Sequence, residues 1–350
     1  MKDRRLGRSG IDVSPMGLGG LPIGGQFWRT DYDSVPWQTD RSKPFSGGWG
    51  PVDDQESIRA IRAGVDLGIR LIDTSSSYGC GHSERVIGEA LAGRRHDVVI
   101  VTKFGNSIDE ENKVYLGHDV RPEGIEQSCN ASLRRLRTDY IDVFLLHWSG
   151  YEGDKAPIAE VLESLIQAGK IRTYGWSNHV TVLMDGFSVY QGFSTVEFPH
   201  SISQRTPDML SYCEERDLGA LIRSPLAMGL LTGKFDADTV FSQDDIRHGW
   251  SLKQGRMADA LQAVGAIRDT LTTNGRTLAQ GALAWIWAQS KRTIPIPGFK
   301  STAQVQENAR AMDLGSLSEA QIAEIEQILK QEGPNEHRSC HRCRTSLSRT

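Results

Sequence analysis

Eight short apolar runs, each followed by a longer stretch with helical spacing, govern what this 350-residue chain can become. The runs lie at 16–20, 70–73, 98–102, 141–147, 173–177, 194–198, 220–223 and 293–296. The helix-like stretches lie at 54–67, 83–91, 122–135, 158–168, 180–190, 207–216, 278–289 and 302–310. Runs such as VVIV and IDVFLL are apolar throughout, as in strands buried on both faces, and such strands alternating with helices form a parallel sheet. In ESIRAIRAGVDLG the apolar residues recur with helical spacing, and Gly68 closes the helix before the next strand. Eight β–α units point to a closed (β/α)8 TIM barrel rather than an open doubly wound sheet. One barrel domain over 1–332 is expected, with 333–350 a polar, basic and loosely ordered tail.

Two segments are too long for simple connections. Residues 26–52 carry Trp28, Trp37 and Trp49 among Gly, Asp and Arg, and follow the first strand; residues 229–252 follow the seventh, with a helix-like stretch at 257–271 after them. Both leave the C-terminal ends of their strands, where barrel enzymes build their active sites, so both are candidate substrate walls. Trp28, Trp49 and Trp148 would offer an aromatic or sugar-binding face, and Arg29, Asp31, Asp40 and Arg41 would suit a hydroxylated or charged compound. The formal net charge of −4 and the lack of a clustered Lys/Arg stripe give no footprint for nucleic acid. No apolar run is long enough to span a bilayer, and the basic start MKDRRLGRSG has no apolar stretch behind it. Five cysteines, three of them scattered, suit a reducing, cytoplasmic setting.

Four residues stand where strand-like runs end: Asp73 and Tyr78 in LIDTSSSYG, Lys103 in VVIVTK and His147 in DVFLLHW. An acid, a phenol, an amine and an imidazole brought together can protonate a carbonyl oxygen while hydride arrives at its carbon. Asp73, Tyr78 and Lys103 each have an ordinary reading alone, as a turn cap, a packing ring and a solvated strand exit. Together, and in this chain order, they resemble the catalytic tetrad of the aldo-keto reductase family, and the resemblance runs from about Arg5 to about Leu329. It implies that Tyr78 donates the proton and that Lys103 lowers the phenol's pKa from its free value of about 10. Asp73 would hold Lys103, and His147 would orient the carbonyl. The phrase departs from the family's DTA at Ser75, a change expected to matter little. His82, Ser83 and Glu84 read as a helix start with Ser83 as the cap.

The glycine-rich GLGGLPIGG is not a Rossmann loop, because Pro22 interrupts it and no nucleotide-binding half follows. The family binds NADP(H) in extended form without such a loop. By resemblance, Ser177 and Asn178 in YGWSN meet the carboxamide. Ser224, Leu226 and Gly229 in RSPLAMGLLTGK meet the pyrophosphate, with Lys234 nearby. Gly298, Lys300, Ser301, Gln304 and Asn308 in GFKSTAQVQEN meet the adenosine end. Lys300 and Ser301 suit a 2′-phosphate, though a helix cap beside a solvated lysine is the plain alternative. In VEFPHS the family's usual Gln is Glu197 and its usual aromatic residue is His200, so Glu197 would meet the carboxamide and His200 would stack on the nicotinamide. A carboxylate there favours the oxidised ring.

Other residues leave alternatives open. Cys340 and Cys343, with His337 and His341 beside them, have zinc-ligand chemistry but no second spaced pair, so no metal is expected. Asp73, His147, Glu197 and His200 could also serve a metal-dependent barrel isomerase or hydrolase. A cofactor-binding redox sensor with weak turnover is the non-enzyme alternative. The expected activity is NADP(H)-dependent hydride transfer on a small carbonyl or alcohol, such as a sugar, another polyhydroxylated compound or an aromatic one.

Overall fold

A computed structural model describes residues 1–331 apart from 32–34, 36 and 39. The tail expected at 333–350 and its cysteine pair lie outside the described residues. The barrel strands, numbered here in chain order, are β1 Leu18–Gly19, β2 Leu71–Asp73, β3 Val99–Phe104 and β4 Ile141–Leu146, then β5 Ile171–Ser177, β6 Phe193–Pro199, β7 Gly219–Arg223 and β8 Thr293–Pro295. Neighbours in this order pair in parallel. The ring closes where Gly17 and Gly19 N–H donate to Pro295 and Pro297 carbonyls, both at 3.0 Å. A closed ring of parallel strands with helices outside is the expected (β/α)8 barrel.

Alternation along each strand sorts the core into two layers. Leu71, Val99, Val101, Val143, Leu145, Leu221, Ile294 and Ile296 fill the interior. Their neighbours Ile72, Ile100, Phe144, Val196 and Ile222 face outward under the helices. A short hairpin, Arg4–Arg5 against Asp12–Val13, places Leu6, Ile11 and Val13 in the interior cluster and plugs the N-terminal end. The sequence reading had no element there.

The helices are α1 Asp54–Asp66, α2 His82–Ala90, α3 Pro122–Leu136, α4 Ala156–Gln167, α5 Thr181–Ser188, α6 Pro207–Glu215, α7 Arg256–Ala266, α8 Arg268–Leu271, α9 Leu278–Gln289, α10 Thr302–Leu314 and α11 Glu319–Gln331. Asp53 caps α1 by accepting from Gln55 and Glu56 N–H, and α1 buries Ile58, Ile61 and Val65. The stretch expected as one helix at 257–271 breaks at Ile267 into α7 and α8. Ser83 does not cap α2: Gly81 stands at the cap position, while the Ser83 hydroxyl donates to Gly20 O at 2.9 Å and accepts from Thr74. Glu84 is buried against Arg135 and Thr102, tying α2 to α3 and β3. Among the described residues no helix is long and apolar enough to cross a membrane. Cys80, Cys129 and Cys213 are buried and free, and burial raises all three thiols.

The two long segments clasp one another. Trp37 Nε1 donates to Ile246 O at 2.7 Å, and Ile246 N–H and Gly50 N–H exchange bonds with Gly48 O and Asp244 O. The Arg247 guanidinium lies 4.3 Å from the Trp49 ring and pairs with Asp245. A second sheet stands beside the mouth, with Trp28–Arg29 between Phe45–Ser46 and Val114–His118, and Asn106–Asp109 at its edge.

Candidate active site

Alternation along β3 that turns Val99 and Val101 inward also turns Lys103 inward, one step nearer the C-terminal mouth. On β2, Asp73 follows Leu71 inward, in register with Val101, and its carboxyl reaches the Lys103 ammonium. Lys103 is fully buried, and its ammonium donates to Asp73, to Thr74 O at 2.9 Å and to the Tyr78 hydroxyl at 3.3 Å. Burial penalises that ammonium, but the attraction of Asp73 and then Glu197 outweighs it and raises its pKa. Burial and the charge of Glu197 push the Asp73 carboxyl well above its ordinary range against the pull of Lys103.

Tyr78 sits in the turn after β2, where backbone meets backbone. Gly79 has φ +62°, and a Cβ on it would collide with the carbonyl of Gly24. That close approach needs glycine and fixes the ring beside Lys103. The sequence reading expected Lys103 to lower the phenol's pKa. It does pull downward, but burial is the larger effect and the net direction is upward, because Asp73 and Glu197 offset the ammonium. The phenol therefore keeps its proton until a partner takes it.

His147 stands edge-on to Tyr78, ring centres 6.0 Å apart. Its Nδ1 contacts Asn106 Nδ2 at 3.0 Å and Ser75 Oγ at 3.1 Å. The Tyr115 hydroxyl donates to Asn106 Oδ1 at 3.4 Å, which turns the amide N–H₂ toward the ring. Burial first, then Lys103, Arg29 and Arg223, hold His147 well below the usual imidazole range. A neutral ring whose Nδ1 accepts carries its proton on Nε2. Ser75, expected to matter little, thus touches the imidazole, and Asn106 escaped the sequence reading. The alternating residues of NSIDEENKVYLGH, folded over a polar turn, were the signal for its hairpin.

The remaining candidates separate. Glu197 is inward and buried, with Oε1 accepting from Ser177 at 3.1 Å and Oε2 3.1 Å from the Lys103 ammonium. His200 lies three positions on, so it faces the other side of the strand. It stacks on Trp285 at 5.2 Å, accepts Thr206 N–H, and is pushed down by burial to about 4. It shares no face with Glu197, contrary to the expected stacking place. The metal-site alternative loses its geometry, because the cation between the two carboxyls is Lys103 itself. Asn178 spends Oδ1 on His179 and Val180 N–H and one N–H on Ser149 O.

Ser224 and then Ala227, Met228 and Gly229 in succession have positive φ, with Leu226 at φ −100° between them, so the loop after β7 turns tightly. Leu226 is half-buried within it, and Lys234 is exposed just beyond. Arg223, which the sequence reading did not single out, alternates inward after Leu221 and is half-buried at the mouth. Gly298 sits at the ring closure beside Gly19. Ser301 caps α10, and Gln304 Oε1 accepts Lys300 N–H at 2.7 Å. Lys300 is half-buried, and its ammonium donates to Trp49 O at 2.9 Å, joining α10 to the clasp. Asn308 is buried one turn further. Trp49 lies under Arg247, whereas Trp148 stacks on His118 at 4.4 Å beside the mouth and Trp28 is more exposed.

The sequence pattern of the Aldo/keto reductase family matches residues 42–330. Aldo-keto reductase YhdN of Bacillus subtilis (strain 168) is 32% identical over 312 residues, covering 87% of each chain. The solved glycerol dehydrogenase of Gluconobacter oxydans superposes with a TM-score of 0.79 at 30% identity, over 95% of this chain and 96% of that one. An aldo-keto reductase from Klebsiella pneumoniae in complex with NADPH superposes with a TM-score of 0.69 at 26% identity, over 96% and 98%.

Proposed function

The chain belongs to the aldo/keto reductase family, and we propose that it is an NADP(H)-dependent oxidoreductase acting on a small polar carbonyl or its alcohol. The observation that carries this reading is the contact of one buried ammonium, Lys103, with both Asp73 and the Tyr78 hydroxyl at the barrel mouth. The neutral imidazole of His147 stands beside them.

The residues present fit the cofactor. Glu197 Oε2 is a buried oxygen without a hydrogen-bond partner, an acceptor that an amide N–H₂ would satisfy. The tightly turned loop at 224–229 offers a cradle for phosphate, with Arg223 and Lys234 as cations beside it. Lys300 and Ser301 at the start of α10 would take the 2′-phosphate once Lys300 leaves the Trp49 carbonyl. Bound NADPH supplies the hydride. The protein's own share is orientation and proton supply: His147 Nε2–H and the Tyr78 hydroxyl converge on the carbonyl oxygen, and Tyr78 gives up its proton as negative charge develops there. Lys103 stabilises the phenolate left behind, and Asp73 holds Lys103 in place.

Trp28, Trp148 and the half-buried Arg29 border the mouth, and His118 backs Trp148. Rings with polar edges suit a small hydroxylated substrate, in keeping with the glycerol dehydrogenase activity named for the Gluconobacter relative. Screening small aldehydes, ketones and sugars for NADPH oxidation, and polyols for NADP⁺ reduction, tests the reading. Turnover with a hydroxylated member is expected; nucleotide binding with no turnover across the panel would overturn it in favour of a sensor.

A further inference from the structure

Lys103 has three N–H bonds and four polar neighbours. Its hydrogen bonds run to Asp73, Thr74 O and Tyr78. The fourth neighbour, Glu197 Oε2, lies 3.1 Å away but outside hydrogen-bonding angles, and it is without any hydrogen-bond partner. Glu197 is 1% exposed and Asp73 3%, and both carboxyls reach the same Lys103 ammonium. Two carboxylates around one ammonium leave a buried negative charge unmatched, which costs several kcal/mol in a water-poor site. One proton held between the carboxyls removes that charge and supplies the missing hydrogen bond. The upward push on Asp73 agrees with that count. The other titratable or charged groups against the pair are Tyr78 after β2 and Lys103 on β3; Arg223 on β7 acts on His147 and His179 instead, and β8 contributes Ile294 and Ile296 to the interior.

We propose that Asp73 and Glu197 together form a proton store for Tyr78, acting through Lys103, which keeps one proton beside the reduced cofactor and releases it beside the oxidised one. The inference rests on the cofactor reading above. During reduction the carbonyl carbon accepts hydride, with its electron pair, from the cofactor, and the carbonyl oxygen takes the Tyr78 hydroxyl proton. The phenolate oxygen then takes a proton from the Lys103 ammonium, and Lys103 takes the one held between the carboxyls. Before the transfer the site holds one carboxylate charge, one ammonium and a neutral ring. Afterwards it holds two carboxylate charges, one ammonium and a positive ring. Its net charge is zero in both states, so the proton need not come from solvent while the site is closed. In this sequence Glu197 acts through Lys103 and touches none of the reacting atoms, while its carboxyl also meets the cofactor's amide. A glutamine there could neither hold nor release the proton.

The test needs no substrate. Titration calorimetry of the full chain at pH 7, repeated in buffers of different ionisation enthalpy, counts protons exchanged as each nucleotide binds. NADP⁺ should release close to one proton and NADPH close to none. In Glu197→Gln, both counts should fall near zero, and NADP⁺ should lose at least about tenfold in affinity relative to NADPH. That ratio is one pKa unit of linkage. NADPH binding by the variant shows that it is folded, and the wild-type count stands without any variant. NADP⁺ binding to the wild type with no proton release, or the same release from Glu197→Gln, overturns the proton store and leaves the cofactor reading intact. Failure of both nucleotides to bind the wild type overturns that reading and the store with it.

Discussion

Replacing Asn106 with Asp changes one atom type at a place where the structure makes it decide a tautomer. The amide N–H₂ faces His147 Nδ1 at 3.0 Å because Tyr115 donates to the amide oxygen, and the imidazole is held neutral. An aspartate of the same shape can only accept, so it draws the ring proton onto Nδ1 and leaves a lone pair on Nε2 facing the substrate oxygen. Losing a donor aimed at developing negative charge costs about 2–3 kcal/mol, roughly 30- to 160-fold in kcat. The carboxylate also raises the imidazole's pKa, so acidification charges the ring and restores a proton to Nε2. The assay is kcat for NADPH oxidation, with the carbonyl chosen by screening, from about pH 8 to about pH 5. The variant should regain activity as pH falls, relative to the wild type at each pH. Asn106→Ala should lose activity without that recovery. A wild-type kcat in the Asp variant, or an equal loss at every pH, would refute the tautomer argument.

Other expectations follow from the same contacts. Lys300→Ala should weaken NADPH much more than NADH, by about 1.5–3 kcal/mol for a charge-assisted bond, measured by fluorescence titration; equal weakening would show that Lys300 does not read the 2′-phosphate. Burial lowers the pKa of both His200 and His147 below that of the unfolded chain, so below about pH 6.5 the unfolded chain binds protons that the folded chain refuses, and stability falls with pH. For His200, lowered to about 4, the loss is about 1.4 kcal/mol by pH 5.5. Asp73, whose pKa is raised, works in the opposite direction, because the folded state holds its proton more tightly. Compared with a His200→Gln variant, which lacks this term, the wild-type midpoint should fall further between about pH 7.5 and about pH 5.5, and an equal change in the two proteins would contradict the burial of a neutral imidazole at that position.

The barrel was legible because its strands are buried on both faces and its helices on one, so both periods stand out in the sequence. Asp73, Lys103 and His147 were legible for a related reason, since a polar residue closing an apolar run marks the mouth, and Tyr78 follows in the turn after β2. What escaped has physical causes too. Arg4–Arg5 and Asp12–Val13 are too short to show a period. Asn106 reaches His147 from a hairpin that gains its partner only from the distant Trp28–Arg29 strand. Ser83 looks like a helix cap in one dimension, yet its hydroxyl is spent on Gly20 at the end of the neighbouring strand. The placement of His200 was readable in principle: residues three apart on a strand face opposite sides, so Glu197 and His200 could not both meet the nicotinamide.

The central claim is that Tyr78, held on Lys103, gives its proton to a carbonyl oxygen during hydride transfer. Tyr78→Phe keeps the ring and removes only the hydroxyl that contacts Lys103 at 3.3 Å. The direct measurement is the single-turnover rate of NADPH oxidation in wild type and variant, with NADPH affinity measured on the same samples. The variant should bind NADPH within about twofold of wild type and transfer hydride at least about 10²-fold more slowly, the usual scale for losing a general acid. An unchanged transfer rate in a folded, NADPH-binding variant would contradict the claim.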